Sequence, residues 1–144
     1  ISIKPAFSSP APTKSFPPDL GSVFNKAIEF LKKDIEENKN DETIFYSYYI
    51  AGLSYLEAAE NSILGLFVSY DEQMAKTGIE FLKESVNKNT TGKFENITLN
   101  AYFYIAKGNL MLNSESGAKE YLQKVISGKG SKMNEAKNIL SELE

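Results

Sequence analysis

Apolar residues in this chain recur every three or four positions from about residue 19 onwards, the spacing that places them on one face of an α-helix. Leu20, Phe24, Ala27, Ile28, Leu31 and Ile35 predict a first helix over about 19–38. Pro18 and Asp19 suit its start, and Asn38-Lys39-Asn40-Asp41 breaks it. Ile44, Phe45, Tyr48, Tyr49, Ala51, Leu53, Tyr55 and Leu56 predict a second helix, capped near Asp41. It is expected to run on through Ala58 and Ala59 towards Leu66 and Phe67 unless Asn61-Ser62 interrupts it. Ser69-Tyr70-Asp71-Glu72 has the Ser-x-x-Glu form of a capping box and opens a third helix to about Asn89, with Met74, Ala75, Gly78, Phe81, Leu82 and Val86 inward. After the break Asn89-Thr90-Thr91-Gly92, a fourth over about 95–113 carries Leu99, Tyr102, Phe103, Ile105, Ala106, Leu110 and Met111. Ser114 caps a fifth with Ala118, Tyr121, Leu122 and Val125, which Gly128-Lys129-Gly130 ends. Ser131 caps a last one bearing Met133, Ala136, Ile139, Leu140 and Leu143. No stretch of four or more residues alternates as a strand, so the expected fold is all-α.

One short phrase recurs within this pattern. Ala27-Ile-Glu-Phe-Leu-Lys32, Gly78-Ile-Glu-Phe-Leu-Lys83 and Ala118-Lys-Glu-Tyr-Leu-Gln123 each set a small residue three and four positions before an aromatic and a leucine. On a helix those three positions share a face. Each copy predicts a notch where a neighbouring backbone comes close, wedged by Phe30 and Leu31, Phe81 and Leu82, or Tyr121 and Leu122. Gly78 costs its helix about 1 kcal/mol, which close packing would offset.

Composition narrows the chemistry. The 144 residues suit one domain, with 42% hydrophobic and 24% charged positions. Net charge is -3, and every basic residue is lysine, so nucleic acid is not an expected partner. With no cysteine and no histidine, disulfides, thiolate sites and imidazole chemistry are excluded. No run of 18 or more apolar residues is present to span a membrane. Acidic pairs such as Glu36-Glu37, Asp41-Glu42 and Asp71-Glu72 sit at helix ends, where a solvated or helix-start charge explains them better than a metal or acid–base site. No phosphate loop or nucleophile motif occurs, so no enzyme activity, cofactor or metal is expected.

All five prolines fall in residues 1–18, which reads as a proline-rich extended tether ahead of a helical domain over 19–144. Ile1, Ile3, Phe7 and Phe16 interrupt it, and such residues are scarce in pure linkers. The stretch from Ile1 to Phe16 is expected to cover an apolar flank of the first helix, either in the same molecule or in a neighbour. The chain starts at Ile1 rather than Met, as a cleaved or engineered start would. A signal or anchor upstream would place the module outside the cytoplasm; otherwise it is cytoplasmic.

Tyr102, Ile105 and Ala106, with Ala118 standing 12 residues after Ala106 and then Tyr121, Leu122 and Val125, resemble a tetratricopeptide repeat. Asn109 and Val125 depart from its usual tyrosine and alanine. In the middle unit Ile50-Ala51 fits the first-helix pair, and Gly78, Phe81 and Leu82 fit the second. Ala51 and Gly78 are 27 residues apart, and the surplus around 57–72 is expected to lengthen both helices by about two turns each. Residues 24–38 look like the second helix of a unit lacking its first, and the last helix like one that closes such arrays. The resemblance implies an α-α superhelix of about six antiparallel helices. It implies a concave groove in which first helices grip a protein or peptide partner. Carried over, the partner-binding positions are Phe45, Tyr48, Gly52, Tyr55 and Leu56, with Asn100, Phe103, Lys107, Leu110 and Met111. That set suits a bulky apolar segment rather than an acidic tail. Aromatics at helical spacing are more often core, and Phe45 or Tyr49 could pack on the first helix instead.

The expected function is thus a non-catalytic interaction scaffold, not itself membrane-spanning, with homo-oligomers permitted. The second reading is a carrier of a lipid or small apolar ligand, in a cavity between the long helices roofed by Ile63, Leu64, Leu66, Phe67 and Val68.

Overall fold

Proline's fixed φ and missing N–H suit the first turn of a helix, and α1 (Pro18–Glu37) begins on one. The computed structural model describes residues 18–63 and 67–144, with backbone alone at 18–20, 61–63, 67 and 68. The expected tether therefore lies outside the described residues except for Pro18. After α1 the Asp41 carboxylate accepts hydrogen bonds from the Thr43 backbone (2.8 Å) and hydroxyl (2.6 Å). This Asx turn feeds α2 (Phe45–Ala59).

The insert departs from expectation. Neither helix is lengthened; β1 (Glu60–Ile63) and β2 (Phe67–Tyr70) form an antiparallel hairpin pairing Glu60 with Tyr70 and Ile63 with Phe67. Asn61, Ser62 and Gly65 are poor helix formers, whereas Ile63, Phe67, Val68 and Tyr70 favour strands. Four residues a side are too few for alternation to stand out.

The next helix, α3 (Glu72–Lys88), is capped by Asp71, whose carboxylate accepts the Met74 N–H at 2.9 Å. The cap is therefore not the expected Ser69, which lies two residues before that cap. Beyond it come α4 (Glu95–Met111), α5 (Glu115–Ser127) and α6 (Met133–Glu142). Ser114 precedes α5 without a side-chain cap bond. Ser131 donates to the Asn100 side chain (3.2 Å) rather than capping α6.

Each helix packs mainly on its neighbours in sequence, running antiparallel. Asp34 late in α1 meets Ser47 early in α2, and Phe24 early in α1 meets Tyr55 late in α2. Ser85 near the end of α3 donates to the Phe45 carbonyl at the start of α2 (2.8 Å). The Asn89 amide between α3 and α4 bonds the Phe94 carbonyl (2.8 Å) and the Thr98 hydroxyl (2.9 Å). One apolar cluster joins α1, α2, α3 and part of α4; a second joins α4, α5 and α6. Ala101 and Ile105 of α4 serve the first, and Phe103 and Ala106 the second.

The repeated phrase turns inward in only two of its three copies. Gly78, Phe81 and Leu82 are buried, as are Ala118 and Leu122, with Tyr121 half-buried. In α1, however, Ile28, Leu31 and Ile35 fill the interface while Ala27 is exposed and Phe30 is 72% exposed. α1 packs chiefly on α2 alone, so one narrow stripe suffices and the notch of this copy has no neighbour to admit.

Candidate interaction groove

Gly52 and Gly78 set how α2 meets α3. A β-carbon at Gly52 would lie 2.6 Å from Leu82 Cγ and 3.0 Å from the Gly78 carbonyl oxygen. One at Gly78 would lie 2.9 Å from Leu56 Cγ and 3.0 Å from the Gly52 carbonyl oxygen. Gly78 thus serves close packing, as its mid-helix position suggests. The notch on α2, however, is Gly52 rather than Ala51.

That one-residue slip matters because successive residues are about 100° apart round a helix. Five residues expected on the groove are buried, Phe45, Tyr48, Gly52, Tyr55 and Leu56, although Leu56 also lines the cleft between α2 and α4. Tyr55 stacks on Phe81 (centroids 5.5 Å apart, 13° between planes) and takes Phe24 edge-on at 5.3 Å. Tyr48 lies 6.2 Å from Phe81, and Phe45 packs 5.2 Å from Phe94. Of the second set, Phe103 is buried, Asn100, Leu110 and Met111 are half-buried, and Lys107 is exposed.

The face that α2 turns away from its packing partners carries Tyr46 (38% exposed), Tyr49, Ile50 (48% exposed), Leu53 and Glu57. These residues fall within one arc of the helix. Opposite stand Asn100, Tyr104, Lys107 and Met111 of α4. The two helices touch only lightly. Between them a cleft of about 170 Å³ is lined by Leu53, Leu56, Glu57, Glu60, Tyr104, Lys107 and Met111. That is below the roughly 300–1,000 Å³ of ordinary small-molecule pockets and suits a few side chains of a larger partner. The residues expected to roof a carrier cavity, Ile63, Leu64, Leu66, Phe67 and Val68, have side chains outside the described residues.

The cleft is amphipathic. Glu57 and Glu60 form one lip, and Lys107 the other, its ammonium 5.9 Å from the ring centres of both Phe103 and Tyr104. Further along, Lys132 lies 5.8 Å from the Phe103 ring and pairs with Glu135 at 2.9 Å, a bond that raises its pKa. The Tyr49 hydroxyl shares a hydrogen bond with the Asn100 side chain. Burial first, then nearby Tyr104 and Tyr46, hold its pKa above the ordinary value, so it stays neutral well past physiological pH. Neutral hydroxyls on an apolar wall suit a wet binding rim. Among the described residues no group of three or more acidic side chains is placed to hold a metal ion.

Sequence reasoning passed over Tyr46, Ile50, Leu53 and Tyr104. The signal was Tyr48-x-x-Ala51-Gly52-x-x-Tyr55: placing Gly52 at the notch turns both tyrosines inward and brings Tyr49 and Leu53 to the opening. In comparisons with protein-family models, curated proteins and solved structures, nothing matches this chain.

Proposed function

We propose that this chain is a non-catalytic interaction module, its helices stacked in the manner of tetratricopeptide repeats, that holds a partner segment between α2 and α4. The observation that carries the reading is the cleft that Leu53, Leu56 and Glu57 of α2 line together with Tyr104, Lys107 and Met111 of α4, with Ile50 48% exposed on the same arc of α2 as Leu53. Apolar side chains left at a concave opening with a polar rim are what a docking peptide buries. The small pairs Gly52 with Gly78 and Ala106 with Ala118, all buried, support the stacking analogy. A fitting segment inserts an apolar side chain beside Leu53 and Met111, with a carboxylate towards Lys107.

Selection from a random peptide library tests this. Enriched peptides should bind wild type and lose at least about tenfold in affinity, about 1.4 kcal/mol, on Ile50→Asp or Lys107→Glu. Both residues are exposed, so the fold should survive, and Lys137→Ala on α6 should leave binding unchanged. Peptides that bind all three variants equally would overturn the assignment, as would a selection that enriches none.

A further inference from the structure

α3 and α5 both pack on α4 but scarcely on each other. The gap between them is a hollow of about 360 Å³, within the roughly 300–1,000 Å³ of ordinary small-molecule pockets. Lys83 and Val86 of α3, Tyr102 and Ile105 of α4, and Tyr121 and Lys124 of α5 line it. Each pair is three residues apart and so shares a helix face. Tyr102 stands two residues, about 200° round α4, from Tyr104, so this hollow opens on the other side of α4 from the groove. Half-buried Val86 and buried Ile105 make it apolar, and the Tyr102 and Tyr121 rings, 5.7 Å apart, give it an aromatic wall. The Lys124 ammonium lies 4.6 Å from the Tyr121 ring centre and 5.4 Å from that of Tyr102, and its 3.0 Å bond to Glu120 raises its pKa. Lys83 is half-buried and makes no ion pair among the described residues. Among those residues no carboxylate lines the hollow.

We propose that this hollow binds a small organic anion on an aromatic body, its charged group taken by Lys83 and Lys124 and its ring set against Val86, Ile105 and the two tyrosines. Charge selects an anion. A half-buried ammonium without a counter-charge is poorly solvated, and a bound carboxylate or phosphate supplies charge-assisted hydrogen bonds to it. The wall selects the body, since tyrosine rings gain by offset or edge-on contact with another ring. Lysine is a point charge that fixes head-group geometry loosely, so the ring carries most of the selectivity. Glu120 competes for Lys124, which leaves Lys83 the stronger determinant. The inference is independent of the groove and of what the groove binds.

The experiment is an NMR titration of the full chain with indoleacetate and with phenyl phosphate. Amide signals of residues 83–87, 102–105 and 121–124 should shift and saturate with a Kd at or below about 1 mM. Indoleacetamide, which lacks the charge, and acetate, which lacks the ring, should bind about tenfold more weakly or worse. Whichever anion binds more tightly identifies the head group. Lys83→Gln should weaken binding about tenfold, Glu120→Gln should tighten it by freeing Lys124, and Lys137→Ala on α6 should leave it unchanged. Saturable binding by neither anion would overturn the proposal, as would equal binding by wild type and Lys83→Gln. Shifts confined to the surroundings of Leu53 and Lys107 would place the anion in the groove and overturn it too.

Discussion

A methyl group added at Gly78 sets two effects of opposite sign against each other. Mid-helix Gly→Ala stabilises an unobstructed helix by about 1 kcal/mol. Here the new carbon would stand 2.9 Å from Leu56 Cγ and Cδ2 and 3.0 Å from the Gly52 carbonyl oxygen, where relaxed contacts are about 3.5–4.0 Å. Leu56 has little room to retreat, since a β-carbon at Gly108 would lie 3.1 Å from its Cδ2. The Gly52 oxygen is backbone, so relief requires α2 and α3 to part by several tenths of an ångström. Overpacking of this kind costs about 1–3 kcal/mol, and the net expectation is a loss of about 1–2 kcal/mol. Gly21→Ala in α1 is the control: nothing lies within 4 Å of a β-carbon there, so only the gain remains. Urea melts followed by far-UV circular dichroism should show Gly78→Ala shifted down and Gly21→Ala up, with unchanged m-values. Two shifts of the same sign and size would refute the close helix approach, and the groove register with it.

The caps and the tyrosines supply two further tests. Asp71→Ala should cost about 1 kcal/mol by removing the acceptor for the Met74 N–H, whereas Ser69→Ala should change stability little; equal melts would restore Ser69 as the cap. Burial raises the pKa of Tyr48, helped by Glu84, and of Tyr49 above 10.0, so their contribution is complete below that pH and is lost as pH rises through the folded values. Phenolate absorbance in native protein should lag that of unfolded chain, and a Tyr48→Phe/Tyr49→Phe variant should lose part of the lag; a variant that lags just as much would refute it.

Helix number and order were legible because each helix carries a run of apolar residues at helical spacing and a polar break after it. Phase was harder to read. Ala51 and Gly52 are adjacent small residues, either able to admit a neighbouring backbone, and only the facing glycine at 78 decides between them. Since 100° of rotation separates the choices, the wrong one exchanges Tyr48 and Tyr55 for Tyr49 and Leu53 at the opening. In α1 the same ambiguity made Ala27 and Phe30 look like packing residues, although Ile28 and Leu31 pack just as well on a single neighbour. The hairpin escaped notice because four-residue strands leave too short a trace, and the pairing of Glu60 with Tyr70 is not written in local spacing.

Because α4 contributes to both apolar clusters, it is the hinge pin of the molecule's cooperativity. Ala101 and Ile105 place it in the cluster shared with α1, α2 and α3, Phe103 and Ala106 place it in the one shared with α5 and α6, and of its residues only Glu95, Asn96 and Lys107 are exposed. Loosening α6 would strip one flank of the second cluster and leave the groove wall standing. Loosening α4 would dissolve the groove and part the two halves in a single event. Amide exchange should therefore be slowest at the middle of α4, and damage from either chain end should stop there.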